Sequence, residues 1–277
     1  MKKLIALMMA LVLVLTCFTA CGDPSANKET DQTNGTNDTT AATDSDKAYV
    51  LNNGKLVVGI TDYAPMDYKD ADGNWTGFDA EFATLFAEEL DVDVEFFVIA
   101  DWSKKFYELE SKNIDVIWNG MTINEDVTLN TNCSDAYVVN AQVVVMKADV
   151  VGNYTTAESM QDLAVAVENG SAGQDAAEAA GIKTIVPVQD QAAALMEVKA
   201  GTSDACVIDI TMAQAMTGEG TNYADLAAGI SLTSEEYGVG FRKGSDLTAE
   251  LNAFMAELKT NGKLQELADK YELTLAD

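Results

Sequence analysis

The chain of 277 residues contains no histidine. Ser-His-Asp and Cys-His nucleophilic systems and zinc sites with imidazole ligands are therefore excluded, and we expect neither a metal site nor a cofactor. Cysteine is also scarce, since only Cys133 and Cys206 lie beyond the first 21 residues. A disulfide between them is possible outside the cell. The layout of elements places them in different halves of the fold, however, so we expect two separate buried thiols.

Basic residues are few compared with acidic ones. The chain has 17 lysines and arginines against 45 acidic residues, which gives a formal net charge of -28. Arg242 is its one arginine. A chain of this charge repels nucleic acid and anionic lipid, so we expect no nucleic-acid partner.

The first twenty residues have the pattern of a secretory signal. Two lysines at positions 2 and 3 precede an apolar run over 4–15, which is too short to span a bilayer comfortably. Small residues then precede Cys21, and the ending Phe18-Thr19-Ala20-Cys21 resembles a lipobox, in which the cysteine is lipidated. We therefore predict a lipoprotein signal peptide over 1–20 and lipidation of Cys21. The alternative is an ordinary signal with an incidental cysteine.

The stretch 21–46 is predicted to be a flexible tether. It is rich in Asn, Thr, Asp, Ser and Ala and almost free of large apolar residues, so it cannot bury a core. A flexible chain of this length has a root-mean-square reach of roughly 25–30 Å. With a lipid on Cys21, the protein is expected at the cell membrane, anchored on the extracytoplasmic face.

Short apolar runs alternate with amphipathic helical patterns through the rest of the chain. This alternation predicts an α/β fold with parallel sheets covered by helices. Strands are predicted over 56–60, 92–99, 114–118, 142–146, 163–167, 184–188, 205–208 and 239–242. Helices are predicted over 79–90, 102–112, 174–180, 190–200 and 210–217, with a final helix that begins after Ser245 or Asp246.

One segment has part of a calcium-loop pattern. Positions 1, 3, 5 and 12 of an EF-hand loop are matched by Asp70, Asp72, Asn74 and Glu81. Position 6 requires glycine for a sharp turn, and Trp75 stands there. We therefore expect a β-turn at Asp72-Gly73 between two extended segments instead of a metal site.

Two motifs identify a family resemblance. The strand 56–60 is followed by an aromatic-proline segment with Tyr63 and Pro65, and a helix opens at Gly77-Phe78-Asp79. Ligands in open α/β sheets bind outside the carboxyl ends of strands, which is where Tyr63 lies. With the central motif Ile-Asp-Val-Ile-Trp-Asn-Gly-Met-Thr-Ile (114–123), this pattern resembles the bacterial extracellular solute-binding proteins of family 3, the polar amino-acid receptors of ABC importers.

The resemblance implies a two-lobed periplasmic-binding-protein-like fold of type II, with the ligand cleft between lobes joined by a two-strand hinge. Lobe 1 is expected to comprise 47–143 and 238–277, and lobe 2 is expected to comprise 144–237. The implied function is capture of a small polar solute, most simply an amino acid, by hinged closure. The partners implied are an ABC permease and ATPase complex, with the receptor itself a monomer that does no chemistry.

The resemblance also assigns ligand-binding residues. Tyr63 and Trp102 correspond to aromatic walls, and Asp209 corresponds to the carboxylate that receives the ammonium group of the ligand. The other matched positions, which supply backbone and side-chain contacts, are Asn119, Gly120, Thr122, Gly170, Ser171 and Ala172.

One departure from the family pattern concerns the carboxylate of the ligand. Receptors of this family grip it with an arginine just after the central motif, and the matching position here is Val127. The backbone N–H groups of the helix that follows Gly170 could hold an anion instead. A lysine could also reach the site, or the ligand could lack a carboxylate. The sequence leaves these three alternatives open.

Two alternative functions share the same fold. Cyclohexadienyl-type dehydratases resemble these receptors and need only a positioned carboxylic acid, so an enzyme on this fold is one alternative. A tethered sensor that signals to a membrane partner is the other. Fold alone does not separate these functions from transport.

Overall fold

A computed structural model describes residues 45–277. The predicted signal peptide, Cys21 and most of the predicted tether lie outside the described residues. The fold begins with a helix that the sequence analysis did not predict. This helix opens at Asp46, and the hydroxyl of Ser45 accepts a hydrogen bond from the Ala48 N–H to cap it.

Strands and helices alternate as expected. The strands are β1 (Lys55–Ile60), β2 (Tyr68–Lys69), β3 (Trp75–Thr76), β4 (Asp93–Val98), β5 (Val116–Thr122), β6 (Asn132–Cys133), β7 (Val138–Asn140), β8 (Gln142–Lys147), β9 (Ala164–Glu168), β10 (Thr184–Val188), β11 (Ala205–Asp209), β12 (Leu226–Ser231) and β13 (Glu235–Phe241). The α-helices are α1 (Asp46–Asn53), α2 (Phe78–Glu89), α3 (Lys105–Glu110), α4 (Glu125–Asn130), α5 (Ala172–Ala179), α6 (Gln191–Ala200), α7 (Ile210–Met216), α8 (Leu247–Asn261) and α9 (Lys263–Lys270).

The strands form two main sheets, each of which defines a lobe. The first lobe contains the order β4-β1-β5-β13-β6, with β7 also paired to β13. The second lobe contains the order β10-β9-β11-β8-β12. A third, two-stranded sheet joins β2 to β3, and the Asp70 carboxylate caps the turn between them by accepting from the N–H groups of Asp72 and Asn74. The predicted turn is therefore present.

Both main sheets are mixed, whereas the alternation of elements predicted parallel sheets. In the first lobe β4, β1 and β5 are parallel, and β13 runs antiparallel to β5. In the second lobe β10, β9 and β11 are parallel, and β8 runs antiparallel to β11. The antiparallel strands β8 and β13 are the ones that follow a passage between lobes, so they enter their sheets from the opposite end.

The chain changes sheet earlier than predicted. β7 ends at Asn140 in the first sheet and β8 begins at Gln142 in the second, so only Ala141 separates them. The return runs over 232–234, before β13. The predicted lobe boundaries, between 143 and 144 and between 237 and 238, therefore lie a few residues later than these changes of sheet. The reason is that extended, mostly buried residues continue through both passages, and side-chain alternation does not mark where a strand changes its partners.

Buried apolar residues pack on both sheets, and one cluster, which includes Phe82 and Ile208, runs through both lobes. In the first lobe Phe82 and Phe86 of α2 are fully buried, as the helical spacing predicted, and the ring of Phe82 lies 4.9 Å from that of Trp118 in an edge-on arrangement. In the second lobe Val165 and Val207, on neighbouring strands, pack against Ala177 of α5. This packing fixes the positions of the parallel strands, at whose carboxyl ends a site can form.

The one arginine has a structural position. Arg242 is buried, and its guanidinium lies 3.0 Å from Asp46 and 3.2 Å from Asp115, measured between nitrogen and carboxylate oxygen. It also donates to the carbonyl oxygens of Leu109 and Ile114. Arg242 therefore fastens α1 to the first lobe and does not reach the ends of the strands where ligands bind.

The two cysteines lie in different sheets, as the layout of elements predicted. Both Cys133 and Cys206 are free thiols. Over residues 45–277, no cluster of acidic and cysteine side chains is arranged to hold a metal ion. In the same range, no helix has both the length and the apolar character needed to cross a bilayer.

Candidate functional site

A cleft lies where the carboxyl ends of β5 in the first lobe and of β9 and β11 in the second lobe face each other. It brings together all but one of the residues predicted to contact a ligand. These are Trp102, Asn119, Gly120, Thr122, Gly170, Ser171, Ala172 and Asp209. The matched positions of the family pattern therefore share one site, although they come from segments up to 107 residues apart in sequence.

Tyr63 is the exception. Its side chain is 1% exposed and does not line the cleft. Its hydroxyl lies 2.6 Å from the hydroxyl of Thr211 in the second lobe and is also hydrogen-bonded to the hydroxyl of Tyr237. The predicted role of an exposed aromatic wall does not describe this position. In this structure the Tyr63 hydroxyl joins the two lobes, and its predicted contact with a ligand stays a prediction.

Gly120 makes this arrangement of Tyr63 possible. A Cβ atom on Gly120 would lie 2.4 Å from the Tyr63 ring, and the residue has a φ of +54°. A side chain there would meet the ring in addition to straining the backbone. The glycine of the central motif is therefore required by its close packing against the Tyr63 ring.

The polar groups of the central motif are largely used inside the protein. The Asn119 amide donates to the Thr61 hydroxyl at 2.7 Å and accepts from the Thr61 N–H at 2.8 Å. The Gly120 N–H donates to Asp79 at 2.5 Å, and the Thr122 hydroxyl donates to Glu235 at 2.9 Å. These donors shape the first-lobe wall, and their predicted contacts with a ligand stay predictions.

Two buried carboxyl groups lie behind this wall. Burial raises the pKa of Asp79 to about 7, although hydrogen bonds from Gly120 and Tyr137 oppose the shift. The pKa of Asp67 is raised well above its ordinary value, first by burial and then by the charge of Asp79. Neither oxygen of Asp67 has a hydrogen-bond partner within residues 45–277. Burial and mutual repulsion therefore favour a state in which at least one of the two carboxyl groups is protonated.

Asp209 stands at the end of β11, as predicted, and is 4% exposed. The amide of Gln142 donates to its Oδ1 at 2.8 Å, and the amides of Asn140 and Gln191 donate to the carboxylate as well. Burial, followed by the negative charge of Glu235, raises its pKa to about 6. The amide donors hold a carboxylate in place at the cleft without neutralising it.

Glu168 is an acidic residue of the site that the sequence analysis missed. It is 4% exposed and lines the cleft at the end of β9, and its Oε1 has no hydrogen-bond partner in the described part of the chain. Its pKa is raised well above the ordinary value by burial and then by the charges of Asp209 and Asp190. The available signal was its position, directly after a buried strand and before Asn169-Gly170.

Lys105 is the second residue that was missed. It is 6% exposed and lines the cleft, and its ammonium group donates to the carbonyl oxygen of Gly170 at 3.0 Å. Burial lowers its pKa, and acidic neighbours that include Asp126 and Glu168 oppose that shift. The sequence signal was its spacing, three residues after Trp102 and therefore on the same face of a helical turn.

The loop at 170–172 begins α5 in the second lobe. The Ser171 hydroxyl accepts from the Gln174 N–H at 3.2 Å, which is the helix-capping role that the sequence allowed. The Gly170 N–H donates to the Gln174 side chain at 3.0 Å. One of the backbone donors proposed for an anion is therefore already used inside the loop.

The titratable groups that line the cleft are mostly acidic. Its lining includes the carboxyl groups of Asp126, Glu168, Asp175 and Asp209 and a single cationic group, that of Lys105. Asp126 and Asp175 are exposed at the mouth, whereas Glu168 and Asp209 are buried. A positively charged ligand would be attracted along this path and would meet buried carboxylates at its end.

Comparison with known proteins places this geometry in context. A family model described as "Bacterial extracellular solute-binding proteins, family 3" matches residues 56–274. The L-cystine-binding protein of Escherichia coli (strain K12) is 28% identical over 80% of this chain and 84% of the relative. The arginine-binding extracellular protein of Bacillus subtilis (strain 168) is 27% identical over 98% of each chain.

A solved structure gives the same result. The P235GK mutant of the arginine-binding protein ArgBP from T. maritima is 31% identical, with a TM-score of 0.76 over 82% of this chain and 98% of that one. The predicted two-lobed fold is confirmed by this similarity. The prediction of a binding protein instead of an enzyme is confirmed by relatives such as these, which are named as binding proteins and match along nearly all of their length.

Proposed function

This chain belongs to the bacterial extracellular solute-binding proteins of family 3, and we propose that its cleft captures an α-amino acid with a positively charged side chain. It serves as the substrate-binding component of an amino-acid ABC importer. The proposed partners are therefore the membrane permease and its ATPase, to which the closed, loaded receptor delivers its ligand. Several relatives and structural neighbours are named for arginine, and one is named for lysine, arginine and ornithine together.

The observation that carries the proposal is that the buried carboxyl group of Glu168 lacks a hydrogen-bond partner on one oxygen among the described residues. A buried carboxyl group without a hydrogen-bond partner on one oxygen is costly, and a cationic donor from a ligand would remove that cost. Glu168 lies beside Asp209 at the second-lobe end of the cleft, and the two raise each other's energy when both are charged. A ligand ammonium or guanidinium group placed between them would relieve both effects.

A count of charges favours a cationic side chain over a neutral one. The lining offers four carboxyl groups and one ammonium group. The α-ammonium of a zwitterionic amino acid would pair with one carboxylate of the cleft. Its α-carboxylate would pair with the ammonium of Lys105. Acidic groups then remain without a partner, and a second positive charge on the ligand would pair with them. A ligand with an acidic side chain would instead add to the repulsion.

Closure of the lobes accompanies capture. Trp102 supplies an apolar wall, and Ser171 and Ala172 line the opposite side at the start of α5. Contacts between the lobes, such as that from the Asn169 amide to the Asp101 carboxylate at 3.2 Å, hold the closed form. Such contacts form only when the lobes meet, so they add to the apparent affinity of the ligand.

Calorimetry on the full chain, purified from membranes in detergent, tests the proposal. The ligands are L-arginine, L-lysine and L-ornithine, with L-glutamine and L-glutamate as neutral and acidic comparisons. We expect micromolar or tighter binding of at least one cationic amino acid and no binding of L-glutamate. Tightest binding of L-glutamine or L-glutamate would refute the preference for a cationic ligand.

Glu168→Gln is the matched variant for this test. It keeps the size of the side chain and removes its charge, so it should weaken a cationic ligand by about 2–5 kcal/mol if the pair is buried. Asp162→Asn, on the exposed surface of the same lobe, serves as the control, since Asp162 pairs only with the exposed Lys183. Equal affinities of Glu168→Gln and wild type would show that Glu168 does not contact the ligand.

We further propose that Cys21 carries a lipid that anchors the protein on the extracytoplasmic face of the cell membrane. The support is the signal-like stretch before Cys21 and the polar segment after it. Stable anchoring takes two acyl chains, since one binds only marginally. Cys21→Ser should abolish labelling by a fatty-acid probe and release the protein or leave it uncleaved. A processed, lipid-labelled Cys21→Ser protein would contradict the assignment.

A further inference from the structure

The cleft contains one cationic side chain, and its surroundings do not satisfy it. An ammonium group has three N–H donors. Lys105 gives one to the carbonyl oxygen of Gly170 at 3.0 Å, and it is 6% exposed. None of the ion pairs among residues 45–277 includes it. A buried ammonium with free donors at the wall of a binding cleft points to an anionic partner from the ligand.

The position of Lys105 relative to Val127 explains which ligand group it meets. Val127 is 2% exposed and packs with Trp102 and Met121 in one apolar cluster. Lys105 lies beside that cluster, with its ammonium 5.2 Å from the Trp102 ring centroid, and both Lys105 and Val127 line the cleft. The cation is therefore supplied from the first turn of α3, close to where the family pattern has its arginine.

The alternative anion site is weaker. The Gly170 N–H is bonded to the Gln174 side chain, and the Ser171 hydroxyl caps its own helix. In the first lobe the Gly120 N–H and the Thr122 hydroxyl donate to Asp79 and Glu235. Each of these groups already has a partner inside the protein, whereas the ammonium of Lys105 has donors to spare.

We propose that Lys105 binds the α-carboxylate of the ligand and takes the place of the arginine that is absent at position 127. This inference rests on the proposed function of the cleft. Lys105 also joins the lobes through Gly170, so binding of the carboxylate and closure occur at the same side chain. The ligand then lies with its carboxylate toward the Trp102 side and its cationic groups toward Glu168 and Asp209.

The test compares each amino acid with its decarboxylated form. The probes are L-arginine with agmatine and L-glutamine with 4-aminobutanamide, measured by calorimetry on the full chain. Wild type should bind the amino acid of a pair more tightly, by about 10–100-fold, the usual effect of a charge-assisted hydrogen bond. In Lys105→Met this preference should largely vanish, because the amino acid should lose far more affinity than its amine; loss of the bond to Gly170 would weaken both members of a pair alike. Lys104→Met is the control, because Lys104 is adjacent and exposed.

The outcomes separate the two proposals. If Lys105 only holds the lobes together through Gly170, Lys105→Met will weaken binding of an amino acid and of its amine equally. That result would refute the carboxylate role. If only the neutral pair binds, the cationic-ligand proposal fails, while Lys105 is still tested on that pair. Binding of no amino acid by wild type refutes both. Thermal unfolding checks each variant, and Lys105→Gln repeats the test. If neither variant folds, Lys105 is a structural residue and the inference is wrong.

Discussion

The hydroxyl oxygen of Tyr63 in the first lobe lies 2.6 Å from that of Thr211 in the second lobe. Both side chains are buried, and the Tyr237 hydroxyl lies 3.0 Å from Thr211 to complete a triangle of hydroxyl groups. Because Tyr63 and Thr211 belong to different lobes, the triangle links the two lobes in this structure. We therefore expect this aromatic residue, just beyond the end of β1, to contribute to closure.

Tyr63→Phe should weaken ligand binding while leaving each lobe folded. Loss of a hydrogen bond of this kind costs about 0.5–1.5 kcal/mol, or roughly a two- to tenfold loss of affinity. Calorimetry with the amino acid bound by wild type gives the affinity, and thermal unfolding gives the stability. Tyr137→Phe is the control, since that hydroxyl bonds to Asp79 within the first lobe. A larger loss of affinity in Tyr137→Phe than in Tyr63→Phe would contradict the closure role.

Gly170→Ala should also impair closure. A Cβ atom there would lie 2.8 Å from the Cα atom of Ser103 in the first lobe, so the backbone itself obstructs it. Gly201→Ala is a matched control, because Gly201 has a similar φ of +77° and a Cβ atom there would meet nothing within 4 Å. Both should lose about 1–2 kcal/mol of stability through backbone strain. Only Gly170→Ala should lose about tenfold or more in affinity, and equal affinities in the two variants would exclude the clash.

Binding of a cationic ligand should strengthen as the pH rises from 5 to 8. Burial raises the pKa of Asp209 to about 6, so part of the population is protonated at low pH and cannot pair with a cation. Binding at pH 6 should release protons, which calorimetry detects in buffers of different ionisation enthalpy. Asp209→Asn should weaken binding by about 2–5 kcal/mol and reduce the pH dependence. A pH-independent affinity in wild type would count against this role.

Folding stability should fall as the pH rises from about 4 to about 7. The pKa values of Asp67 and Asp79 are raised in the folded protein, so in this range the unfolded chain releases protons that the folded one keeps. Asp67→Asn removes one of the two charges and should flatten the decline. Urea unfolding at pH 5 and pH 8 measures the slope, with the exposed Asp72→Asn as the control. Wild-type stability that rises between these two values would be the opposite of the expectation.

Arg242→Met should be strongly destabilising without a direct effect on the cleft. It leaves the buried Asp46 and Asp115 carboxylates without their cation, at a cost of about 3–5 kcal/mol. Lys183→Met removes an exposed pair with Asp162 and should cost about 0–1 kcal/mol. Chemical denaturation compares the two. Similar stabilities for these variants would mean that the buried cluster contributes little.

Periodicity explains why much of the fold was predictable. Residues such as Phe82 and Phe86 recur at helical spacing, and Asp209 follows a continuous buried strand, so their elements could be assigned from the sequence. The change from the first sheet to the second at Ala141 could not be predicted, because the strands that pair on either side of it come from residues far away in sequence. α1 was missed for a similar reason, since its attachment depends on Arg242, almost two hundred residues later.

The candidate site was predictable in position but only partly in chemistry. The resemblance located Trp102, Gly170 and Asp209, which do share one cleft. It did not indicate that the Gly120 N–H is used by Asp79, 41 residues earlier. Nor does a lysine in a polar stretch signal its own burial, because the partner of Lys105 in this structure, the carbonyl oxygen of Gly170, lies 65 residues later in the sequence.

The two free thiols have a practical consequence for measuring motion. Burial raises the pKa of Cys133 to about 11 and that of Cys206 further still, so neither reacts readily with maleimides at neutral pH. Leu51→Cys on α1 and Met196→Cys on α6 would place new, accessible thiols on different lobes, since these side chains are 45% and 55% exposed. A donor and acceptor dye at these two positions would turn the protein into an optical reporter, in which energy transfer follows the opening and closing of single molecules as nutrient is added.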